Sequence, residues 1–225
     1  MARWINTFEV ICPDANREKE WIEWYKKIHA PDILETPGFL TARLYERKEF
    51  RDGRGKFLTI YEIETDDIDK TIKVRQEKRA KEVEAGRGST AFLPVWRDVV
   101  WKQITRVVAD KESDPKMEKW LNTLEIVCAD DNRAKEFTTW YEKTHARDIL
   151  DTPGFLTARM FERKEFRDGR GLFLTMYEIE TDDIDKTLEI RKQKRIKERE
   201  QGRQTDAWIP MWFDVLWRLL FELSK

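Results

Sequence analysis

At 225 residues the chain has room for one large domain or for two of about 100 residues each. Charged residues make up 39% of it, yet the net charge is −1 with both signs interspersed, so there is no basic face for nucleic acid and no acidic tail. No apolar run approaches the roughly 18 residues that span a bilayer, and Cys12 and Cys128 stand alone in apolar runs, without a metal or disulfide pattern.

The opening MARWINTFEV lacks the apolar core of a signal peptide, and with two isolated thiols the expected setting is the reducing cytoplasm. From Trp4 to Cys12, the positions Trp4, Asn6, Phe8, Val10 and Cys12 alternate against the other face, the period of a half-buried strand. A helix is predicted from Asn16, with Trp21, Trp24, Tyr25, Ile28 and His29 on one stripe. Pro31 and Thr36-Pro37-Gly38 are expected to end it.

Phe39 to Glu46 reads as a second strand, Arg51-Asp52-Gly53-Arg54-Gly55 as a hairpin turn, and Phe57 to Ile63 as a third strand. Thr65-Asp66-Asp67 supplies an N-cap and first-turn acids for a helix running to about Gly86, its C-cap. Ala91 to about Trp101 is the last strand, giving the order βαββαβ.

This order then recurs. WINTFEVICPDANREKEW at Trp4 returns as WLNTLEIVCADDNRAKEF at Trp120, and RKEFRDGRG at Arg47 is repeated unchanged at Arg163. The offset is constant at 116 positions from His29 to His145, no gap is needed from Trp4 to Trp101, and about two thirds of the paired positions are identical. The charged, Pro-containing DKESDPK stretch reads as a linker. The expected division is a first repeat at 1–105, a linker at 106–117, and a second repeat at 118–225 with an apolar tail, Trp212 to Leu223. One small half would leave a sheet face uncovered, so the expected architecture is α+β: two ferredoxin-like βαββαβ repeats forming an intrachain pseudo-dimeric α+β barrel.

The stretch WYKKIHAPDILETPGFLTARLYE resembles the EthD-like members of the dimeric α+β barrel superfamily. These carry an aromatic-rich first helix, a His near its end, an acid and an apolar pair, and then Pro-Gly-Phe opening the second strand. The matching residues here are Trp24, Tyr25, His29, Asp32, Ile33, Leu34, Pro37, Gly38 and Phe39, and their equivalents from Trp140 to Phe155. The superfamily includes cofactor-free oxygenases, cyclases, lactone isomerases, decarboxylases and haem-dependent enzymes. The resemblance therefore implies small-molecule chemistry and leaves the reaction open. The covalent joining of two halves, the long charged second helices and the apolar tail depart from the family's usual form.

His29 and His145 are the whole histidine inventory and occupy equivalent positions. Histidine titrates near neutrality, so both are candidate acid–base groups, with Asp32 and Asp148 three residues on as candidate orienting partners. A competing reading makes each His a helix-end group bonding free carbonyls. Arg75 and Arg79, and their equivalents Arg191 and Arg195, extend the apolar stripe of the second helix. Each is a candidate clamp for a substrate carboxylate, or a partner of nearby glutamates. Arg43 and Arg159 on the second strand are similar candidates. Trp24, Tyr25, Tyr61, Trp140, Tyr141 and Tyr177 either wall a cavity or fill the core. Cys12 and Cys128 read as small buried hydrophobes with no activating base.

Phosphate loops, dinucleotide fingerprints and Ser-His-Asp orders are absent, and one histidine per half cannot build a three-ligand metal site. The first reading is an enzyme acting on a small apolar or aromatic molecule in each half. No cofactor is expected, His is the acid–base group, and the chemistry is of oxygenase, cyclase, decarboxylase or lyase type. A ligand-binding or scaffold protein is the second reading, and a haem-binding relative the third. The halves differ at Trp21/Phe137, Ile28/Thr144 and Tyr45/Phe161, and Thr144 is expected to make the second pocket more polar. The tail is expected to pack as a strand or helix or to serve as a homodimer contact.

Overall fold

The computed structural model describes residues 1–49, 55–128, 130–165 and 171–225; the hairpin read at Arg51 to Arg54 lies outside the described residues. The chain divides into two compact units, Met1–Lys102 with Leu219–Lys225, and Gln103–Arg218. Among the described residues there are eight strands, and within each unit the paired strands run antiparallel.

In the first unit β1 (Ala2–Ile11) lies between β3 (Phe57–Thr65) and β4 (Leu93–Val108), and β2 (Phe39–Arg47) flanks β3. The register sets Asn6 opposite Tyr61 and Phe8 opposite Thr59, so these side chains share one face with Val10 and Phe57. Helices α1 (Glu18–Trp24), α2 (Ala30–Leu34) and α3 (Ile68–Glu84) belong to this unit. Trp21, Tyr25, Ile33, Leu34 and Ile68 join Val10, Phe39, Phe57 and Tyr61 in one core cluster.

The other face is buried as well: Ile5 and Ile60 are 1% accessible and Trp101 is 0%. Trp101 Nε1 donates to Thr7 Oγ1 at 3.0 Å, so this buried indole donor is satisfied internally. Glu9 is also buried there, and its Oε2 accepts from Gly55 N at 3.0 Å. A Cβ on Gly55 would stand 2.7 Å from Glu9 Cβ and 2.8 Å from Val10 N, so only glycine permits the approach.

The first helical stretch departs from its prediction. A π turn, Tyr25–His29, separates α1 from α2, and Ala30 N donates to Tyr25 O five residues back. Pro31 was expected to end the helix, but it sits directly after the π turn, in the first turn of α2, and the helix runs on to Leu34. The second helix matches better: Asp67 Oδ1 accepts from Lys70 N at 3.0 Å as N-cap, and Gly86, at φ 73°, ends it.

The second unit contains β5 (Glu118–Cys128) between β7 (Phe173–Thr181) and β8 (Trp208–Ser224), with β6 (Phe155–Arg163) beside β7. Its helices are α4 (Ala134–Trp140), α5 (Ala146–Leu150) and α6 (Ile184–Glu200), and a π turn at Tyr141–His145 joins the first two.

Two boundary expectations are corrected. Residues 106–108 were read as linker but continue β4. The apolar tail is strand throughout, and its last residues belong to the first unit: Lys225 N donates to Leu40 O at 3.1 Å. Leu220, Phe221 and Leu223, partly buried, pack on the first unit's core. Among the described residues no helix is long and apolar enough to cross a membrane.

Candidate functional site

Each unit encloses a cavity between its helices and one sheet face. The first, of about 250 Å³, is walled by Asn6, Phe8, Thr59 and Tyr61 from the strands, by Trp21, Trp24, Tyr25 and His29 from the first helical stretch, and by Arg75, Gln76 and Arg79 from α3. The second, of about 440 Å³, is built from the equivalent positions, including Asn122, Trp140, Tyr141, His145, Tyr177 and Arg191.

The π turn sets the histidine. Trp24 and His29 are five residues apart, a spacing that leaves the shared face of a regular α-helix but returns to it when the backbone bonds i to i+5. The imidazole consequently lies flat on the Trp24 indole, with ring centres 4.8 Å apart and planes inclined by 19°. His145 on Trp140 reproduces this at 4.7 Å and 19°.

His29 Nε2 lies 3.1 Å from the Tyr61 hydroxyl, and Nδ1 is buried without a hydrogen-bond partner. The imidazole tautomer decides which of the two groups donates. Burial, followed by the positive charges of Arg79 and Arg75, holds His29 well below the ordinary imidazole range. Burial, Arg191 and Arg195 bring His145 to about 3. Burial pushes Tyr61 up to about 12. The empty cavity therefore holds a neutral imidazole beside a protonated phenol.

Several candidates take other roles. Asp32 does not orient His29: its carboxylate is gripped by both Nε and Nη2 of Arg87. Arg87 O in turn accepts from Trp24 Nε1 at 2.9 Å, so Asp32 acts on the histidine only by fixing the indole beneath it. Asp148, Arg203 and Trp140 repeat this chain, with a Trp140 Nε1 to Arg203 O distance of 2.8 Å.

Arg75 lines the cavity, but its fork is occupied by Glu82 at 2.6 and 2.5 Å, and Arg191 is held likewise by Glu198 at 2.5 and 2.6 Å. Tyr25 donates to Arg43 O at 3.1 Å and Tyr141 to Arg159 O at 3.2 Å, so both hydroxyls are engaged by backbone.

Arg43 and Arg159 stand outside both cavities. The strand register turns them to the face away from the helices, where Arg43 pairs with Glu62 at 2.8 Å and Glu222 at 2.9 Å, and Arg159 with Glu178 at 2.7 Å. Ile28 and Thr144 line neither cavity, so the expected polarity difference does not arise there. Cys12 packs at the core's margin with its thiol pushed up to about 11, chiefly by burial with Glu18 adding to it.

Asn6, Thr59, Gln76 and Phe92 were not anticipated as walls. The alternation of β1 already put Asn6 and Phe8 on one face, a usable signal; nothing in the sequence pointed that face at α3. Among the described residues no group of three or more His, Cys, Asp or Glu is arranged to hold a metal.

Residues 6–86 match a family described as a domain of unknown function (DUF4286). No curated protein matches the sequence. Among solved structures, an anthrone oxidase-like protein is similar at TM-score 0.58 and 13% identity, over 99% of this chain and 92% of that one. A monooxygenase candidate from Fusobacterium nucleatum aligns at 0.58 and 10% identity, over 100% and 95%. A mutant chlorite dismutase from Candidatus Nitrospira defluvii aligns at 0.60 and 8%, over 97% and 92%. At these identities the likeness is one of fold alone.

Proposed function

We propose that the protein is an enzyme acting on a small aromatic molecule with an ionisable oxygen, and that it does so without a cofactor, by removing a proton to give an anion that reacts with dioxygen. The observation that carries this is the His29–Tyr61 pair on the wall of an aromatic-lined cavity. Tyr61 is placed to donate to a substrate oxygen as charge develops on it. His29 is the proton acceptor. By itself it is a weak base, but negative charge developing on the substrate beside Arg79 as the proton leaves offsets part of the positive field and moves the ring back toward neutrality. The occurrence of an anthrone oxidase-like protein and a monooxygenase candidate on this fold favours oxidation over the other reactions of the superfamily.

In the same reading the chain is a tandem duplication of an EthD-like, ferredoxin-like unit. The Trp-Tyr, His, Asp and Pro-Gly-Phe pattern present in both halves supports this. Haem is a poor fit to the first cavity. A volume of about 250 Å³ lies below the span of about 300–1,000 Å³ usual for drug-sized ligands, and His29 Nε2 already faces Tyr61.

The test is dioxygen uptake by the purified protein on adding anthrone or 1-naphthol, with binding followed by tryptophan fluorescence. Uptake above the protein-free rate, lost in the His29→Ala/His145→Ala double variant at unchanged fold, is the expected result. Binding without turnover leaves a ligand-binding protein. Neither binding nor uptake overturns the proposal.

A further inference from the structure

The two cavities are not copies of one another. Where the first has Trp21 and Phe8, the second has Phe137 and Leu124, and it is larger, at about 440 against 250 Å³. Its charge differs too. Gln76 of the first cavity is replaced by Lys192, an exposed side chain that therefore lies at the opening.

The second arginine also sits differently. Arg79 lies 3.7 Å from Glu82 and 5.5 Å over the Trp24 ring, so its charge is partly offset. Arg195 is exposed and, among the described residues, makes no ion pair, while Glu198 is held bidentately by Arg191. Lys192 has only Glu189 at 3.8 Å, an exposed pair of little strength.

Building on the ligand reading above, we infer that the second cavity takes a larger aromatic carboxylate, with Lys192 and Arg195 receiving the carboxylate at the opening, while the first takes a smaller, uncharged aromatic. Lys192 and Arg195 sit on α6 one turn apart, a spacing that lets two side chains face one anion. Apolar walls deeper in the cavity take the ring system. The charge difference costs an anion more in the first cavity, where no lysine replaces the water it leaves.

One histidine in each cavity gives a reporter for each site. The imidazole signals of His29 and His145, assigned with single His→Ala variants, are followed by NMR while 2-naphthoate or 2-naphthol is added. Naphthoate is expected to move His145 at lower concentration than His29. Lys192→Gln is expected to weaken naphthoate at His145 by about three- to ten-fold and leave naphthol unchanged, and higher salt to weaken naphthoate alone. The reciprocal Gln76→Lys is expected to bring naphthoate to His29. Naphthoate moving both rings equally, or His29 first, or no effect of Lys192→Gln, overturns this inference and leaves the ligand reading standing. No movement of either ring with any probe overturns both.

Discussion

The imidazole of His29 lies face to face with the indole of Trp24, five residues earlier, at 4.8 Å. The indole is itself anchored by its N–H to Arg87 O, and Arg87 by Asp32. The cavity histidine is thus positioned from below by a chain that ends in a buried carboxylate.

Trp24→Phe keeps a flat surface but removes the donor to Arg87 O, and is expected to cost about 1 kcal/mol. Trp24→Leu also loses the stack and is expected to cost about 2–3 kcal/mol. Urea unfolding measures both, and the two values should separate. Equal costs would mean the stack contributes nothing.

Asp32→Asn removes the charge from a 4% exposed side chain whose partner Arg87 is about half exposed. Because solvent reaches one member of the pair, the expected loss is about 2 kcal/mol rather than the larger value for a fully buried pair. The His29 ring signal should also broaden or shift, since the indole loses its anchor. A stability change with no response in that signal would sever the proposed chain.

Both histidines are held below their ordinary value, so between about pH 6.5 and pH 5 the unfolded chain binds protons that the folded chain does not. Their stabilising effect is whole above pH 6.5 and declines as pH falls toward the folded values. The slope approaches about 1.4 kcal/mol per pH unit for each ring. His29→Gln/His145→Gln should flatten the stability profile in that window, and a profile unchanged by the pair of substitutions would refute the shifts.

Tyr61→Phe removes the hydroxyl 3.1 Å from His29 Nε2 and little volume. Turnover of an aromatic probe is expected to fall at least ten-fold, with stability changed by no more than about 1 kcal/mol. Steady-state kinetics on Tyr61→Phe/Tyr177→Phe checks it. Undiminished kcat would remove the phenol from the proposed reaction.

Gly55→Ala places a methyl group against Glu9 Cβ and Val10 N, which are backbone and near-backbone atoms with no room to yield. The expected loss is about 2–3 kcal/mol, read by thermal or urea unfolding. Gly86→Ala, where a Cβ meets nothing within 4 Å, is the control: it tests the positive φ alone and should cost about 1 kcal/mol.

The sequence by itself determined the 116-residue internal offset, the strand periods, the Asp67 cap, the Gly86 stop and the pairing of one histidine with each half. These are local properties: side-chain alternation, capping chemistry and permitted φ are carried by a few adjacent residues. Tertiary structure alone decided the π turn that folds His29 back onto Trp24, since Tyr25–His29 reads as ordinary helix until packing selects the bond five residues back. It also decided that Asp32 meets Arg87, 55 positions away, and that Arg75 spends its fork on Glu82. The fate of the tail was settled the same way. An apolar run fits a strand, a helix or a partner contact equally well, and only the free edge of β2, which its last residues reach, made it a strand. Partners distant in the chain are chosen by the geometry of burial, in which each buried polar group must find its mate, and no local pattern encodes that choice.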